Sequence, residues 1–145
     1  MLIRYKQDDQ GNTLPIANIY TQAEHKIETR NIDRDALWVI KKLQGSGAEA
    51  YLVGGAVRDL MLGNIPKDFD IATSASPDEI FRLFPKTLKV GAQFGVAMVG
   101  MGGRWIEVAT FRCDEGYTDG RHPDRVRPGS IEEDTPVSYN NLTLP

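Results

Sequence analysis

Residues 51–73, "YLVGGAVRDLMLGNIPKDFDIAT", hold a glycine pair, an Arg-Asp pair and two aspartates one residue apart. Tyr51, Leu52 and Val53 make an apolar run of strand size, and Gly54-Gly55 turns the chain out of it. "AVRDLML" then gives about two turns of helix, closed by Gly63. "FDIAT" resumes as a strand. A strand, a tight turn, a helix and a second strand in so short a span point to a mixed α+β architecture.

Upstream, Leu37, Ile40 and Leu43 form one apolar stripe, which predicts a helix from about Asn31 that "GSG" at 45–47 stops. Residues 1–30 mix polar residues with "TLPIANIY" and show no sustained period, so an extended arm is expected there. Downstream, Ser76, Pro77 and Glu79 form a capping box with proline at the first helical position. "VAMVGM" and "RWIEVATF" read as strands joined by a Gly102-Gly103 hairpin turn. Residues 114–130, rich in Gly, Pro, Asp and Arg, read as a loop. The expectation is a small mixed sheet with helices packed on it: an arm over 1–30, a head over 31–136 and a divergent tail over 137–145.

The chain of 145 residues suits one domain with a real core. Hydrophobic residues at 41% and charged ones at 26% are the balance of a globular protein rather than a disordered one. No apolar run reaches the length of a membrane span, and "MLIRYKQDDQGN" lacks an apolar signal core. The expected location is the cytoplasm. The single cysteine, Cys113, excludes an intrachain disulfide. A net charge of −3 offers no global field for nucleic acid, so any RNA contact needs a local basic patch.

The chemistry-bearing residues follow from this frame. Gly54 and Gly55 remove side chains where a helix begins, so a phosphate can approach the backbone, and Arg58 lies within reach of its oxygens. The alternative is a plain tight turn. With residues 68–72 extended, Asp68 and Asp70 project to one face while Phe69 and Ile71 face the core. Like charges so close favour a cation between them, and hard carboxylate oxygens suit Mg²⁺; the alternative is a solvated strand edge. Glu107, on one face with Trp105 and Ala109, is an acid in an apolar strand, which requires a metal or an ion partner such as Arg104 or Arg112.

Taken together, "LVGGAVRDLMLG", "KDFDIAT", "IEVATFR" and "YTDGRHPDRV" closely resemble the catalytic head of the class II tRNA nucleotidyltransferase and bacterial poly(A) polymerase family. The resemblance runs from about Asn31 to Asp134. It implies a polymerase-beta-like head in which Asp68 and Asp70 bind Mg²⁺, with Glu107 as third acid. It also implies Gly54, Gly55 and Arg58 along the triphosphate of ATP or CTP. The acceptor would be an RNA 3′ end, of tRNA or of another RNA. "EGYTDGRHPDRVRPG" resembles the family's flexible basic loop, where Arg121, Arg125 and Arg127 would meet RNA or pyrophosphate oxygens.

The resemblance has a departure. The family follows its acid near Asp134 with an "RRDFTINA"-like segment and base-selecting helices, whereas here the chain reads "EEDTPVSYNNLTLP". The expectation is a head with weak activity alone. A rival from another class is a non-catalytic nucleotide-binding or regulatory module.

Overall fold

A computed structural model describes residues 1–88, 90, 95–115, 125–128 and 141–143, with only backbone pairing for 112–115, 125–128, 141 and 143. The first element is a hairpin of β1 (Leu2–Gln7) and β2 (Thr13–Ile19). Its turn is built by Asp8, whose Oδ1 accepts the Gln10 and Asn12 N–H groups at 2.9 and 2.8 Å. Every residue of both strands is exposed. The expected extended arm is a paired hairpin, without the alternation that burial of one face would have imposed on its sequence. A short helix α1 (Gln22–His25) and a 3₁₀ turn (Thr29–Asn31) lead into the main body. Ile27 is already in the core, so the packed body begins before the expected boundary at 31.

Helix α2 (Arg34–Gly45) starts at Asp33, whose carboxylate accepts the Ala36 N–H at 3.0 Å. It buries Ala36, Val39, Ile40 and Leu43 and ends where the glycines predict. Strand β3 (Ala50–Val53), helix α3 (Gly55–Met61), strand β4 (Asp70–Thr73) and helix α4 (Pro77–Leu83) follow. The capping box of Ser76 and Glu79 is present, at 3.2 Å in both directions. The chain closes the body with β5 (Thr87–Leu88), β6 (Val96–Met101) and β7 (Arg104–Thr110). Gly102 and Gly103 both have positive φ, as a two-residue hairpin turn requires.

β8 (Arg112–Glu115) and β9 (Arg125–Pro128) pair antiparallel, so the expected loop over 114–130 contains strand at both ends. The remainder of that loop, with Arg121, lies outside the described residues. Within the expected tail, β10 (Asn141–Thr143) pairs with β3.

Among the described residues, the main sheet has six strands in the order β10-β3-β4-β7-β6-β5. Only β4–β7 is parallel; the other neighbours are antiparallel. One face carries Leu52, Ile71, Val99, Ile106 and Val108, packed with Val39, Ile40, Leu43, Val57, Leu60 and Ile80 of the helices. The opposite face has a small cluster at one end, Val53, Ala72 and Phe111 with Tyr51 against it. Strand alternation thus assigns the helices to one face and leaves polar groups the other.

Candidate active site

The antiparallel β3–β4 register sets Val53 opposite Asp70, so the chain leaves β3 through Gly54 beside the point where β4 begins. Gly54 has φ +74, a conformation that disfavours any side chain, and a Cβ there would stand 3.7 Å from Asp70 Oδ2. Gly55 opens α3, and a Cβ on it would lie 3.4 Å from an Arg58 guanidinium nitrogen. Arg58 therefore folds back toward the helix start. The glycine turn thus stands beside the first acid of the next strand, and the helical arginine beside the glycine turn.

The parallel register β4–β7 sets Asp70 opposite Glu107. Both project from the face that the helices leave uncovered, and their carboxyls hydrogen-bond to each other. Burial raises the Asp70 pKa above its ordinary value, and the charge of Asp68 raises it further; the bond from Glu107 opposes this. Burial likewise raises Glu107, and so do the Asp70 charge and the hydrogen bond it makes to Asp70. Two half-buried acids held together, each raised by burial and by its neighbour's charge, are an arrangement whose repulsion a divalent cation would relieve.

Asp68 is exposed and precedes β4, so backbone pairing starts two residues later than the expected extended segment. Phe69 and Ile71 are buried between and beyond the aspartates, as alternation requires. Asp68 is close enough for its charge to act on Asp70. Among the described residues, however, no three acids, imidazoles or thiols already converge as a metal-ligand set. The structure brings Asp70, Glu107 and Gly54 together, and leaves Asp68 beside them.

Arg104 is not the partner of Glu107. Its guanidinium binds Asp33 at 2.6 Å, tying the start of β7 to the cap of α2. The Arg112 side chain lies outside the described residues, as do those of Arg125 and Arg127.

Sequence reading overlooked Lys86. Gly100 stands opposite Trp105 in the β6–β7 register, and Lys86 crosses Gly100 so that its ammonium lies 5.6 Å from the centroid of the Trp105 ring. The Gly102-Gly103 turn carried half of this signal, since a two-residue turn pairs 101 with 104 and 100 with 105. The short strand β5, which brings Lys86 alongside, had no sequence signal of its own.

The family described as Poly A polymerase head domain matches residues 50–136. Poly(A) polymerase I of Salmonella typhi is 41% identical over 140 residues, covering 87% of this chain and 30% of that protein. The CCA-adding enzyme of Geobacillus kaustophilus is 52% identical over 100 residues, covering 68% of this chain and 25% of that protein. The crystal structure of the Bacillus stearothermophilus CCA-adding enzyme in complex with CTP superposes with TM-score 0.60 and 43% identity, covering 70% of this chain and 24% of that one. The chain spans less than a third of the length of these curated relatives.

Proposed function

We propose that this chain, which belongs to the poly(A) polymerase head-domain family, supplies the nucleotide- and metal-binding half of an RNA 3′-end nucleotidyltransferase. The reaction is attack of an RNA 3′-hydroxyl on the α-phosphate of ATP or CTP, with pyrophosphate leaving. The observation that carries this reading is the register of Asp70 with Glu107 beside the Gly54 turn. Similarity to relatives that add A or CCA, and to one solved in complex with CTP, supports the substrate class.

Asp70 and Glu107, joined by Asp68, would hold Mg²⁺; the donor set fits, because half-buried carboxylate oxygens face each other across paired strands and burial and mutual charge disfavour both being ionised without a cation. When bound, that ion neutralises phosphate charge and lowers the barrier to hydroxyl attack. The protein's own part is positioning. Gly54 and Gly55 keep the helix start clear of side chains, so triphosphate oxygens reach backbone N–H groups. Arg58, folded back toward Gly55, meets the same oxygens as a fork of donors. The one helical-covered face fixes both strands, so the acids stay in register while substrates come and go. Arg121, Arg125 and Arg127 would add contacts to RNA or pyrophosphate.

Alignment of the RNA end with the α-phosphate is worth roughly 7–11 kcal/mol of barrier in well-oriented systems. The chain alone is therefore proposed to bind Mg²⁺-ATP weakly and to extend RNA poorly. Titration of Mg²⁺-ATP against wild type, Arg58→Ala and Asp70→Asn tests the site, and labelled-ATP extension of RNA tests transfer. Equal affinity in all three proteins would refute the assignment. Nucleotide binding without transfer, even with the chain fused to a relative's downstream domains, would favour the regulatory-module reading.

A further inference from the structure

The open face holds a second set of side chains one step along the strands from the acids. Glu107 and Trp105 alternate on β7 with the buried Ile106 and Val108, so both project from this face. Gly100 pairs with Trp105, and the Gly100 N–H donates to the Lys86 carbonyl at 2.7 Å, extending the β5–β6 ladder by one step. Lys86, Gly100 and Trp105 thus form a row parallel to the row of Leu88, Met98, Glu107 and Asp70. A Cβ on Gly100 would sit 2.7 Å from Lys86 carbons. Only glycine there lets the lysine lie across the sheet to the indole.

Trp105 remains 44% exposed, and Lys86 is exposed as well. A cation–π contact at such a site adds little stability, and the packed core lies on the other face. An open indole beside an ammonium matches a nucleotide: a base has a π-face, and its phosphate is an anion. Position decides which nucleotide. Gly54, Gly55 and Arg58 follow β3, on the far side of β4 from Glu107, where the triphosphate is assigned, whereas Trp105 shares β7 with Glu107 one step along and Lys86 reaches it from the β5 edge. We propose that Trp105 and Lys86 seat the single-stranded 3′ end of the acceptor RNA, the indole stacking a base and the ammonium meeting the backbone phosphate. Stacking tolerates any base, which suits an acceptor end read for position rather than sequence. The assignment to acceptor rests on the transferase reading; binding of single-stranded RNA at this row does not.

The test uses the chain carrying Trp38→Phe, so that Trp105 is its sole indole. Titration with a short oligoadenylate should quench Trp105 emission saturably. By anisotropy of labelled RNA, Trp105→Ala should weaken binding about tenfold or more, while Trp105→Phe keeps most of it. Lys86→Ala should reduce the slope of log affinity against log salt by about 0.7, the loss of one phosphate contact. Absence of quenching, or equal RNA affinity in wild type and Trp105→Ala, would overturn the seat. Mg²⁺-ATP affinity of Asp70→Asn is measured separately, so failure of the transferase reading shows there and failure of the seat shows in the RNA titrations.

Discussion

The β1–β2 hairpin and the β3–β4–β7 centre are both ladders of paired backbone, yet they differ in what lies beside the ladder. The hairpin exposes Leu2, Ile3, Tyr5, Leu14 and Ile16, and its contacts include a turn at Asp8 and an ion pair between the Met1 ammonium and Glu24. The centre covers one face completely, with Leu52, Val108 and Ile71 at 0–1% exposure, and uses the other for charge. Backbone hydrogen bonds are common to both. Apolar burial is what allows the centre to hold two half-buried acids together against their mutual repulsion.

The widest difference should appear on truncating an apolar side chain in each region. Ile71→Ala removes a fully buried side chain from the centre and should cost about 2–5 kcal/mol. Ile16→Ala in the hairpin should change stability by less than about 0.5 kcal/mol. Urea unfolding of both variants measures this, and similar losses would show that the hairpin is packed in solution.

Two glycines sharpen the same contrast. Gly11 and Gly54 have φ of +81 and +74, so alanine is strained at both. Strain of this kind costs about 1–3 kcal/mol. A Cβ on Gly11 meets nothing within 4 Å, whereas one on Gly54 faces Asp70. Both variants should lose stability, but only Gly54→Ala should also lose Mg²⁺-ATP affinity. Calorimetric titration beside thermal melts separates the two effects, and loss of ATP affinity on Gly11→Ala would break the comparison.

The regions should respond to pH with opposite signs. Asp70 and Glu107 have folded pKa values above their ordinary 3.8 and 4.5, so the folded state holds more protons through that range. Their contribution is present in acid and is lost as pH rises through the raised values. Asp70→Asn should therefore flatten the decline in melting temperature above about pH 4. Divalent cation should do the same for wild type. A steeper decline in the Asn variant would contradict the raised pKa values.

Glu24 runs the other way, and its effect should be the smallest. The Met1 ammonium and the Thr21 groups hold its carboxyl down at about 2 from 4.5. Its contribution is present above 4.5 and is lost as pH falls toward 2. The pair lies at the surface, so salt should weaken it. Carbon-detected NMR titration of Glu24 with and without salt checks the direction; an ordinary or raised value would remove the ion pair from the account.

Local chemistry made much of the centre readable. Ser76, Pro77 and Glu79 announce a helix start because their hydrogen bonds close within one turn. Gly102-Gly103 announces a hairpin because glycine adopts the positive φ of both turn positions without strain. The hairpin of β1 and β2 was not readable, since two strands with no buried face need no alternation. β5 is two residues long, too short for any period, and β10 falls in a polar segment whose partner is far away in the chain.

For the site, the sequence by itself determined the kinds of group and their faces. Alternation assigns Asp70 and Glu107 away from the apolar side of their strands, and the glycine turn fixes where α3 begins. Tertiary structure decided what meets what. That β4 runs parallel to β7 and pairs Asp70 with Glu107, rather than with a neighbour two residues off, depends on the connection through α4, β5 and β6. It decided as well that Arg104 reaches Asp33 instead of Glu107, and that Lys86 crosses Gly100 to Trp105. A strand's own residues specify its two faces through the pleat; its neighbour and register are settled by which pairing buries the shared apolar face under the helices.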